Sequence, residues 1–340
     1  MRRRLLLVLS MSAFILMTAV LPAETAGTSG DDRLHIVMVT FRGCEEACRG
    51  FQDFVASSGL DADVEVHDIA RDRSLLPGLV EIVNDTQPDL LVTWGTTVTV
   101  GMLGTLDDDG NAVSGVPAVF MIVADPVGAR VVESTEGSGR PLITGTLNRA
   151  PEETQMRVLS SYRPFSRIGL VYNDTELNAL LKADEIKRVA AEEGFIVFER
   201  IIENDADGNP LVEDIPDAVA DIAARDVDFL YVGSSSFILE NADTFTLAAL
   251  AHAVPVATAY EAMVRNSHAL ISVATPYYNV GQLAGFQAVQ ILVNGIEPGD
   301  LPIAGLDRFT VLVNIDTAHA LRLYPPMLML RYAEIVSNEE

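Results

Sequence analysis

The residues with chemistry to offer stand at the ends of short apolar runs. Arg42 follows the first run, Trp94-Gly95-Thr96-Thr97 closes another, and Asp125 follows Val119 to Val123. Asn173, Glu176 and Asn178 follow Ile168 to Tyr172, Ser234 and Ser235 follow Phe229 to Val232, and Tyr260 and Tyr277 follow two more. Free N–H groups and hydroxyls at helix starts bind carboxylates and phosphates. Trp94, the single Trp of the chain, can stack on a flat ligand. Each residue alone is weak evidence, because Ser, Thr and Asn cap helices in most proteins. Their recurrence at one kind of position describes a polar cleft with an aromatic face, neutral donors and few carboxylates, suited to a small zwitterion or polar organic solute. Catalysis has little support. There is no Gly-x-Ser-x-Gly elbow and no phosphate or dinucleotide loop, and the five His are scattered. Asp125, Glu176 and Glu261 could act as acid and base across a cleft, or equally as a clamp for a cation. No cofactor and no metal are expected.

What must position these residues is strand alternating with helix. Strands are expected at 35–40, 64–67, 89–95, 119–123 and 143–148, and, beyond a helix at 152–162, at 167–172, 195–202, 228–233, 255–258, 269–273 and 309–313. Val119 to Val123 is an unbroken apolar run, the pattern of a strand buried on both faces. It stops at Asp125-Pro126, since Pro removes a donor and biases its neighbour away from helix. The acidic stretches at 107–110 and 204–208 read as turns; the second has its Gly two positions too early for a calcium loop. The fold class this implies is α/β: two Rossmann-like lobes with parallel sheets joined by a multi-strand hinge. In such sheets ligands sit beyond the carboxyl ends of the strands, here in the interlobe cleft. The expected division is residues 31–146 with about 278–306 in one lobe, 147–277 with about 307–322 in the other, and 323–340 as a C-terminal extension.

The 340 residues carry a net charge of −25, which argues against nucleic acid and anionic membrane surfaces as partners. Arg2 to Arg4, the apolar stretch Leu5 to Val20 and the small residues Ala23 to Gly27 form a signal peptide over residues 1–26. An uncleaved anchor is the alternative; the expected location is the periplasm. Export with two cysteines, Cys44 and Cys48, points to a disulfide. On a regular helix the i, i+4 spacing is too long for relaxed geometry, so a bridge is expected to distort the first turn. Two small buried thiols are the other reading.

A set of ordered fragments extends this picture: Val123-Ala-Asp-Pro-Val127, Ile143-Thr-Gly-Thr146, Gly169-Leu-Val-Tyr-Asn173 with Glu176-Leu-Asn178, Tyr277-Tyr278 with Gly281, Asn294-Gly295 with Asp300-Leu-Pro302, and Val313-Asn314 with Ala318. With them, residues 35 to 326 resemble the periplasmic substrate-binding proteins of ABC transporters whose best-understood members bind tryptophan and other aromatic amino acids. The resemblance implies a type I periplasmic-binding fold, a cleft ligand, a membrane permease partner, and Glu176 and Asn178 facing the ligand. Three positions depart from the family's pattern. Ala179 stands where Ser is usual, and Gly233-Ser-Ser-Ser236 and Pro276 stand where acids are common. A cleft with fewer acids suits a ligand without a free ammonium group. The expected function is an extracytoplasmic solute-binding protein of an ABC importer, monomeric and not an enzyme. The rivals are a sensor subunit for a membrane kinase and a hydrolase on the same frame.

Overall fold

Aliphatic runs become the strands of two sheets. The computed structural model describes residues 33–337 except 109, 111 and 307; the expected signal peptide lies outside the described residues. The first sheet contains β1 (Leu34–Thr40), β2 (Ala62–Asp68), β3 (Leu90–Trp94), β4 (Ala118–Val123) and β5 (Ile143–Leu147) in the order β2-β1-β3-β4-β5, all parallel. Side chains alternate between the faces, as the period of two requires. Val37, Val39, Leu91 and Phe120 pack under α2 (Leu76–Thr86) and α3 (Thr96–Leu103). Ile36, Met38, Leu90, Val92 and Met121 pack on the other face, against Phe51 of α1 (Glu46–Ser57).

The second sheet contains β6 (Arg167–Tyr172), β7 (Ile196–Ile201), β8 (Phe229–Val232), β9 (Val256–Thr258), β10 (Ile271–Ala274), β11 (Thr310–Asn314) and β12 (Glu334–Val336). Its order is β12-β11-β10-β9-β8-β6-β7, and β11 runs antiparallel to β10. The five strands β7-β6-β8-β9-β10 repeat the order of the first sheet, so the chain has the expected α/β architecture built twice. One face is covered by α4 (Glu152–Tyr162) and α5 (Leu177–Glu193), the other by α6 (Ile215–Ala223) and α8 (Ala242–Ala251). Two short helices, α7 (Ser236–Glu240) and α9 (Glu261–Arg265), follow β8 and β9, and α11 (Ile315–Leu321) follows β11. The residues expected as a C-terminal extension include β12, which pairs with β11 at the sheet edge. Among the described residues no helix is long and apolar enough to cross a membrane.

Between β10 and β11 the chain returns to the first sheet as α10 (Tyr277–Leu292) and packs along α1. Glycines make this approach possible. A Cβ at Gly50 would run into the Tyr278 carbonyl, and one at Gly281 into the Ala47 carbonyl. Farther along, Gln287 donates to the carbonyls of Gly145 (3.0 Å) and Pro302 (3.1 Å), and Ala304 bridges to Thr146 of β5.

Cys44 and Cys48 are bridged, with their Cα atoms 5.1 Å apart. The expected distortion of the first turn is absent. Cys44 lies before the helix, Glu45 is an extended N-cap, and Arg49 N still donates to Glu45 O at 3.0 Å. The bridge therefore ties an incoming loop to a regular turn.

Two measurements check this packing. Titration of unfolded, unreduced protein should find no free thiol. Reduction should cost only about 2 kcal/mol, because the closed loop is short; two reactive thiols would refute the bridge. Gly281→Ala should destabilise by about 1–3 kcal/mol in chemical denaturation, the usual penalty for overpacking. Gly78→Ala, in α2 with nothing near its would-be Cβ, should be neutral or stabilise by up to about 1 kcal/mol.

Candidate functional site

The carboxyl ends of both sheets converge on one narrow cavity, whose free space in this arrangement is only about 30 Å³. The first sheet supplies Phe41, Arg42, Trp94, Gly95, Thr96, Thr97 and Ile122. The second supplies Glu176, Asn178, Ser234, Ser236 and Tyr260; Arg149 and Tyr277 come from the segments that run between the sheets. That free space is room for about two waters, far short of the roughly 300 to 1,000 Å³ of small-molecule sites, so the walls stand closed on each other.

The backbone explains why these groups face inward. Gly95 has φ +88° and its N–H donates to Met121 O at 2.9 Å, so β3 breaks sharply into α3. No side chain caps α3, which leaves its first N–H groups at the cavity wall. Ile122 has φ +59°, an unfavourable conformation for a β-branched residue. The β4–β5 register shifts between Phe120 and Val123, and this turns Ile122 into the lining.

Two guanidiniums dominate the electrostatics. Arg42 is buried, pairs with Glu45 (Nε to Oε1 2.7 Å, Nη2 to Oε2 3.2 Å) and lies 5.1 Å from the centre of the Trp94 ring. Arg149 lies 4.3 Å from the Tyr260 ring centre and donates to Ala259 O (2.9 Å), Tyr277 OH (3.4 Å) and Ser234 Oγ (3.5 Å). Among the described residues Arg149 has no carboxylate partner. Burial pushes the Tyr277 hydroxyl up to about 12, against the opposing pull of Arg149, so it stays protonated at neutral pH. Three N–H groups on this wall are buried with no acceptor: Arg42 Nη1, Trp94 Nε1 and Arg149 Nε.

The one lining carboxylate is already engaged. Glu176 accepts from Ser236 N (2.7 Å), Phe237 N (2.8 Å), Asn178 Nδ2 (3.2 Å) and Asn173 Nδ2 (3.3 Å). These use about all four acceptor sites of a carboxylate, and they cap α7.

Of the residues singled out in the sequence, Arg42, Trp94, Gly95, Thr96, Thr97, Glu176, Asn178, Ser234, Tyr260 and Tyr277 meet at the cavity. Three do not. Asp125 turns back to accept from Gly128 N at 2.8 Å, closing its own turn. Asn173 and Ser235 are buried behind the wall and bonded to each other at 2.9 Å; Asn173 steadies Glu176, and Ser235 caps α7 through Ile238 N. Glu261 is also outside the lining, so the three carboxylates that might have acted together are apart. Reasoning from sequence passed over Arg149, although it too follows a strand end. Ile122 was missed as well, while Phe41 and Ser236 stood within strand-end segments marked in the sequence but were not chosen as ligand contacts.

A family model of ABC transporter substrate binding proteins matches residues 36–336. The chain belongs to this family. It is 27% identical over 212 residues to a tyrosine-binding protein of Clostridioides difficile, spanning 62% of this chain and only 58% of that protein. Among solved structures it resembles an ABC domain in complex with L-Trp from Streptococcus pneumonia, with TM-score 0.74 and 22% identity over 88% of this chain and 99% of that one. It also resembles the ligand-free, open structure of a substrate binding protein with adhesive properties from Clostridium difficile, with TM-score 0.70 and 22% identity over 90% and 100%. At such identity the likeness is one of fold.

The bonding around Glu176 leads to a test. Glu176→Gln should destabilise the protein by about 1–3 kcal/mol, because an amide cannot serve all four donors. Chemical denaturation measures the loss. An unchanged midpoint would mean that the carboxylate is not what holds α7.

Proposed function

We propose that this chain is the extracytoplasmic solute-binding protein of an ABC importer. It takes a small solute into the cavity between two lobes and hands it to a membrane permease. One observation carries the reading: a single cavity receives side chains from the strand ends of both sheets, in a chain of the substrate-binding family. A site split between two halves is completed when they come together around a ligand. Two contacts beside the cavity suit that role. Arg71 pairs with Glu240 at 2.5 Å, and Arg73 Nη2 donates to Thr175 O at 2.9 Å; each joins the first half to the second. The tyrosine-binding and tryptophan-bound relatives favour a solute of about amino-acid size with a flat apolar part. The N-terminal Arg and Leu-rich stretch fits export to the periplasm, where a monomer suffices to carry solute to the permease.

The reading is tested by native mass spectrometry of protein as purified, followed by X-ray scattering on protein stripped by unfolding and refolded. Adding back the small molecule identified should reduce the radius of gyration. Identical profiles at saturation would count against closure of two lobes.

A further inference from the structure

Resting on the solute-binding reading, we infer that the cavity selects a flat organic acid without an amino group, its carboxylate seated at Arg149. Three observations converge. First, Arg149 is a cation at the cavity wall with no carboxylate partner among the described residues, and its Nε is buried without an acceptor. A desolvated charge is costly unless it is paired. Secondly, the other orphaned groups on the wall are also donors, Trp94 Nε1 and Arg42 Nη1. Both residues are nine-tenths or more buried at the side chain or overall. A carboxylate has two oxygens and only accepts, so it matches such a wall, and Arg presents a planar fork to it.

Thirdly, the cavity offers an ammonium no free carboxylate. Glu176 serves four donors and Glu45 is held by Arg42. The segment Ser234 to Ser236 and Pro276 bring no acid. A zwitterionic amino acid would bury its ammonium beside two guanidiniums. Its desamino counterpart keeps the ring and the carboxylate and loses that penalty. The body of the ligand needs more space than these closed walls leave, so it enters among Phe41, Trp94, Ile122 and Tyr277 as they move apart.

Calorimetry on stripped, refolded protein tests this with matched pairs: indole-3-propionate and L-tryptophan, 3-(4-hydroxyphenyl)propionate and L-tyrosine, 3-phenylpropionate and L-phenylalanine. At least one desamino acid should bind ten-fold or more tightly than its amino acid. Arg149→Met should weaken that compound at least ten-fold with the thermal midpoint unchanged or raised, and Arg149→Lys should recover part of the affinity. An amino acid that binds as tightly as its desamino partner overturns the inference and leaves the solute-binding reading standing. Binding by none of the six compounds overturns it too, as does full affinity in Arg149→Met. Failure of the solute-binding reading looks different: protein as purified carries no small molecule and no solute changes its scattering.

Discussion

The near-contact of α10 with α1 is the constraint on which the cavity depends. Gly50 and Gly281 let the two backbones approach to a distance that no side chain would permit. The register of that contact decides what the two consecutive tyrosines do. Tyr278 bonds Asp53 of α1 at 2.8 Å, which fixes the start of α10 against the first sheet. Tyr277 then reaches the cavity and accepts from Arg149. Neighbouring residues on a helix point about 100° apart, so fixing one aims the other. A wider spacing of the helices would move Tyr277 and, through it, the guanidinium it steadies.

The polar wall is arranged in two layers. Asn173 and Ser235 behind it, with Glu176 at its surface, satisfy one another and the start of α7, a network in which each of these buried groups has a partner. Such networks hold their members in one geometry. In front stand Arg149, Arg42 and Trp94, which carry the unsatisfied donors. A protein rarely leaves buried N–H groups orphaned without a reason. Here the satisfied layer fixes the positions, and the unsatisfied layer supplies the demand for an acceptor.

Much of the fold was legible because parallel strands buried on both faces read as unbroken apolar runs, as at Val119 to Val123. α8 was not, since Ala242 to Ala251 is apolar on nearly all sides and shows no helical stripe. β12 has three residues, too few for any period to show. The site was legible to the extent that position decides it: strand ends of parallel sheets face the crevice, and ten of the residues chosen on that rule line the cavity. The rule cannot say where a side chain turns next. Asp125 satisfies its own loop, and Asn173 and Ser235 turn inward to each other, because short polar side chains bond nearby backbone as readily as a ligand. Ile122 depends on a positive φ that no residue type announces.

Arg149 connects these features. It stands just after β5, in the first stretch that leads from one sheet to the other, and its bonds run to Ala259 and Ser234 of the second half and to Tyr277 of α10. Its placement therefore registers how the two halves sit. Without an anion, bringing those elements together buries a cation against aromatic rings and neutral oxygens, which offset only part of the lost hydration. On the proposed reading, an acceptor in place makes the same arrangement favourable. The energy that attracts the ligand and the energy that holds the halves together then have one source, since a ligand shifts a conformational equilibrium only by its difference in affinity for the two states.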